Sequence, residues 1–238
     1  MRKLYEKHEI LFAVLWILLY CLVMSAIRGQ FGLDSPWMPP ALLLIAAAAT
    51  ALVLAWRLKE KYGLAGWPKD TKRFLWFIPM WIVATGNLWD GIAPSYQGMG
   101  QVFAVLSMLL VGYVEELLFR GFLFKALLAD GKKVAAIVIS SVTFGLGHII
   151  NLLSGQATFE TLVQIVFAIS WGFIFTMVFF KCGSLFPCIL AHSMIDVLSL
   201  FGADNALVDW ISIGATILVA IFYGLYLSKL KTPEEEKA

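Results

Sequence analysis

Charge is scarce in this chain. Only 14% of its 238 residues are Asp, Glu, Lys or Arg, against about a quarter in an ordinary soluble domain. What charge there is nearly cancels: 18 Lys and Arg against 16 Asp and Glu leave a net +2. No broad basic face is available, which excludes nucleic acid as a partner. Cysteine is scarce as well. Cys21, Cys182 and Cys188 are too few and too irregular for a disulfide framework, and they lack the paired spacing of a structural zinc site. No internal repeat or low-complexity tract is present, which counts against an inverted-repeat transporter. In place of all these stands apolar sequence, 61% of the residues, with a mean hydropathy of +0.84. The chain therefore reads as an integral membrane protein whose first partner is the lipid bilayer.

Apolar stretches at 10–27, 37–57, 74–89, 101–128, 133–153, 159–180, 184–202 and 207–228 are the candidate spans. They predict an all-α, polytopic membrane protein with about eight transmembrane helices. The stretch 74–89 is the weakest, being short, interrupted by Pro79 and ended by Asn87 and Asp90. The first apolar run continues to Ile27 without a small-x-small site and is read as an uncleaved helix, not a signal peptide. In domain terms, residues 1–100 hold helices 1 to 3, residues 101–202 a core of helices 4 to 7, and residues 203–238 the last helix and a polar tail.

Lys and Arg collect in cytoplasmic loops, and eight crossings place them on one side. Arg2, Lys3 and Lys7, then the six from Arg57 to Arg73, then Lys125, Lys132 and Lys133, then Lys181, then Lys229, Lys231 and Lys237 fall together, whereas the opposite loops hold only Arg28. Both termini are thus expected in the cytoplasm. Most tryptophans, Trp37, Trp56 and Trp210 among them, fall near helix ends, where they act as interfacial anchors.

The remaining basic residue, Arg120, lies within a span and marks where the chemistry is. A charge inside a membrane helix costs at least a few kcal/mol, so its default meaning is functional. Glu115, Glu116 and Arg120 share the fourth span, His148 lies in the fifth, and His192 and Asp196 in the seventh. Glu116 and Arg120, four residues apart, share a helix face and can pair. Glu115 is turned about 100° away, toward another neighbour. His192 and Asp196 also share a face, as do Phe144 and His148. Lipid penalises each polar face if it points outward, so the bundle is expected to bury a polar site between helices 4, 5 and 7. Buried carboxylates and imidazoles can activate water by general acid and base chemistry. Simpler readings stand beside this one. The Glu116–Arg120 pair serves equally as a structural ion pair, a lone intramembrane histidine often bridges helices, and Phe119 and Phe144 are read as packing residues.

Three stretches carry a family resemblance: Glu115-Glu116-Leu117-Leu118-Phe119-Arg120-Gly121, Phe144-Gly145-Leu146-Gly147-His148, and His192-Ser193-Met194-Ile195-Asp196. They resemble the E-E-x-x-x-R, F-x-x-x-H and H-x-x-x-N/D signatures of the CPBP intramembrane proteases, which include the Rce-type CAAX prenyl proteases and the bacterial Abi proteins. The resemblance implies an intramembrane endopeptidase acting on a membrane-associated protein or peptide, with a bacterial cell membrane as its expected location. By the same resemblance Glu115 is the general base, His148 holds the same water, Glu116 and Arg120 organise the site, and His192 with Asp196 stabilises the oxyanion. An ionised Asp196 cannot donate as the Asn form would, so it is expected to orient His192. No cofactor is required by this reading. If zinc or another divalent metal were used, Glu115, His148 and His192 would be its ligands. The readings from other classes are a proton-coupled transporter and a non-catalytic scaffold or immunity protein of the same fold. Oligomeric state is not legible in the sequence.

Overall fold

Long apolar runs in lipid must satisfy their backbone internally, which leaves the helix as the available form. The computed structural model describes residues 1–149 and 157–237, and among these every extended element is helical. We number the helices α1 (Arg2–Lys7), α2 (Glu9–Phe31), α3 (Met38–Ala55), α4 (Ile78–Ala84), α5 (Gly98–Leu128), α6 (Lys133–Leu146), α7 (Thr158–Cys182), α8 (Phe186–Leu198), α9 (Ala206–Ser228) and α10 (Pro233–Lys237). Helices α2, α3, α5, α7 and α9 are long and apolar enough to cross a membrane. Their outward faces are apolar, with Leu15, Leu22, Leu44 and Phe222 about half exposed or more.

Helices α6 and α8, of 14 and 13 residues, reach about 20 Å each, short of a hydrocarbon core of about 30 Å. The expected fifth span, 133–153, has its last part outside the described residues. The expected third span is broken. Leu75, Trp76 and Phe77 all take left-handed backbone conformations, α4 has only seven residues, and a 3₁₀ turn follows over Gly86–Leu88. Pro79, set in the first turn of α4, can begin a helix but cannot continue one from upstream.

The bundle has two chemically different ends. At one, Lys61 pairs with Glu9, Arg73 with Glu236 and Lys133 with Glu235, while Lys181 Nζ donates to the Leu230 carbonyl. At the other, the Ala93 amide donates to Phe201 O at 2.7 Å, Ile92 bridges Gly202, and Gly100 packs beside Asp34.

Small residues let the inner helices close. A Cβ on Gly112 of α5 would lie 2.5 Å from the Ser193 backbone nitrogen of α8, and one on Gly172 of α7 would lie 2.9 Å from Ser141 O of α6. Ser193 Oγ donates to Leu109 O across the first of these contacts. These contacts fix the register of α5 against α8 and of α6 against α7.

Candidate active site

In α5 the helix is regular through Glu116 and then widens into a π-helical stretch over Leu117–Phe124, entirely buried. Such widened turns occur often at functional sites. The two glutamates sit at its start and part company. Glu116 is sealed, its side chain 0% exposed, as is that of Arg120, which donates from Nη1 to Glu116 Oε1 at 2.8 Å. Only one guanidinium nitrogen finds that carboxylate. The rest of the cation lies against ring faces, 4.1 Å from the Phe144 centroid and 5.3 Å from that of Phe175. Glu115 is 16% exposed and turns to a cavity, where Tyr20 of α2 donates to its Oε1 at 2.7 Å.

His192 of α8 joins the two sides. Its ring stacks on Phe175 at 5.4 Å and meets the edge of Phe144 at 5.5 Å. Its Nδ1 lies 2.9 Å from Glu116 Oε1. Glu116 already accepts from Arg120 and is acceptor-only when ionised, so we assign the Nδ1 proton to the imidazole as donor. Nε2 then faces the cavity, 3.7 Å from Glu115 Oε2 and 3.5 Å from Asp196 Oδ2.

Five of the six residues anticipated for catalysis, Glu115, Glu116, Arg120, His192 and Asp196, thus form one connected cluster. His148 lines the same cavity from the far end of α6, and its Nδ1 approaches its own helix at Phe144 O, 3.4 Å away. The nearer carboxylate to His192 is Glu116, on Nδ1, and Asp196 lies looser on the opposite nitrogen. The helix spacing permitted either arrangement, and packing of α5 on α8 decides between them.

The cavity measures about 290 Å³ and is walled by Tyr20, Met24, Met108, Glu115, His148 and Asp196, with Arg28 and Ser199 also on its lining. Tyr20 was not anticipated. It lies in an apolar run without a motif, and only its three-dimensional neighbour reveals it. Among the described residues no three His, Cys, Asp or Glu groups converge to hold an ion.

Residues 98–198 match the family model described as type II CAAX prenyl endopeptidase Rce1-like, a protease family, and the resemblance carried by the three motifs is borne out. No curated protein and no solved structure matches the chain.

Proposed function

On the premise that an Rce1-like segment spans residues 98–198 of a multi-pass membrane protein, we propose that the chain is an intramembrane endopeptidase that uses Glu115 as its general base. One observation carries this reading. Of two adjacent glutamates only Glu115 reaches the cavity, with one oxygen held by Tyr20 and the other facing His192 Nε2 across 3.7 Å. An oxygen on the cavity side, such as that of the attacking water, can reach both at hydrogen-bond distance.

Glu115 takes a proton from water as the oxygen attacks the peptide carbonyl. The carbonyl π pair moves to oxygen, and the tetrahedral oxyanion accepts a hydrogen bond from Nε2–H of His192 in its imidazolium form, whose geometry is fixed by Glu116 and Arg120. Collapse breaks the C–N bond, and Glu115 returns the proton to the leaving amine, giving an acid and an amine. His148 holds the water from the opposite wall, and Asp196 sets the charge around Nε2. The substrate is a membrane-associated protein or peptide. The collected Lys and Arg put the basic end of the bundle, and both termini, in the cytoplasm.

The test compares membrane-protein and peptide termini in cells carrying the native chain, Glu115→Gln or a deletion, with folded amounts of the two full-length forms matched. New termini with the native chain alone are expected. Identical termini in all three, with a deletion phenotype rescued by Glu115→Gln, would overturn the peptidase.

A further inference from the structure

The cavity lies entirely toward one end of the bundle. On α2 its lining begins at Tyr20 and continues through Met24 to Arg28, an i, i+4, i+8 stripe that runs away from Glu9 and the basic end. On α3, which returns toward the basic end, only its first residue, Met38, takes part. The contributions of α6 and α8 come from the same side. Phe144 and, just beyond the end of α6, His148 lie there, and Asp196 and then Ser199 follow His192 at the end of α8. From Tyr20 to Phe31 the helix rises about 16 Å, and from His192 to Leu198 about 9 Å. Those figures set the depth of the site below the end that holds Asp34 and Gly202.

That end contains one basic residue, Arg28, which lines the cavity. Among the described residues Arg28 makes no ion pair or side-chain hydrogen bond. Every other Lys or Arg outside the membrane lies at the opposite end, which the positive-inside bias assigns to the cytoplasm. Between Arg28 and Glu115 the lining includes the adaptable apolar side chains Met24, Met38 and Met108, beside polar Ser25 and Ser199.

Resting on the peptidase reading, we infer that the site receives its substrate from the non-cytoplasmic side, as a peptide segment with an apolar side chain against the methionines and an acidic group at Arg28. The α2 wall lies outside the matched segment and supplies this selectivity. A prenylated tail presented from the cytosol would meet the basic end, which none of the cavity's lining residues reaches.

Sidedness is tested in intact cells with a membrane-impermeant maleimide. Ser199→Cys and, as a second position, Ser25→Cys are compared with Lys59→Cys at the basic end, all in a Cys21→Ala chain. The cavity cysteines are expected to label without permeabilisation and Lys59→Cys only after it. The reverse order overturns the inference and leaves the peptidase reading untouched, because labelling needs no hydrolysis. Selectivity is read as binding to Glu115→Gln protein in liposomes, using two synthetic apolar peptides that differ only by Glu or Lys beside the apolar side chain. The Glu peptide is expected to bind about fivefold tighter, as an exposed charge pair allows, with the preference lost or reversed by Arg28→Glu. An unchanged ratio in Arg28→Glu would remove Arg28 from recognition and overturn the proposed substrate class.

Discussion

Glu115 and Glu116 are neighbours in the chain and opposites in the fold. Glu116 is sealed, shares its oxygen between Arg120 and His192 Nδ1, and sees no solvent. Glu115 opens on a cavity and accepts a hydrogen bond from Tyr20. The 100° between successive helix residues is enough to separate a sealed carboxylate from one that reaches the cavity. On the proposed reading, the sealed pair holds an imidazole and the open carboxylate meets water. Similar residue types carry out both tasks, so what tells them apart is accessibility and partner.

The sharpest way to break this contrast is to remove one member of the sealed pair. Arg120→Ala leaves Glu116 as a buried charge without its cation, at a cost of about 3–5 kcal/mol. The expected result is loss of folded protein, read as a lost monodisperse peak and a lowered Tm in detergent. Glu115→Gln, by contrast, should leave that peak intact. A stable Arg120→Ala protein without activity would mean that the cation acts on substrate instead. Tyr20→Phe sharpens the other half. It keeps the ring and deletes a hydrogen bond to a charged group, worth about 1.5–3 kcal/mol. We expect kcat to fall about tenfold or more with KM unchanged while Tm also drops, whereas a purely structural Tyr20 would lower Tm and spare kcat. The smallest effect is expected away from both glutamates. Arg73→Ala removes a partly exposed pair with Glu236, and thermal melts should register about 0.2–1 kcal/mol with activity unchanged.

The polar cluster was largely legible because lipid narrows the options. A charge at helix spacing inside an apolar run has nowhere to go but inward, and three such helices must meet. The Glu116–Arg120 pair followed from the four-residue spacing alone. Other features depend on contacts that spacing does not encode. Tyr20 looks like any aromatic on an apolar helix until α2 is laid against α5. The choice between Glu116 and Asp196 as the close partner of His192 depends on how near Gly112 lets α8 approach. The stretch 74–89 has the hydropathy of a span, and only the left-handed turn at Leu75–Phe77 and the start of α4 at Pro79 show how it breaks. Helices α6 and α8 carry key residues at lengths below those of free-standing spans, so hydropathy marked them but could not set their ends.

Tyr20 has a further consequence for how the chain can be taken apart. A protein engineer cutting at the borders of residues 98–198 would carry away both glutamates and both membrane histidines, yet leave behind the hydroxyl that steadies Glu115. The segment is not a portable cassette. A chimera built on it would take the partner of Glu115, together with one wall of its cavity, from whichever first helix it was given.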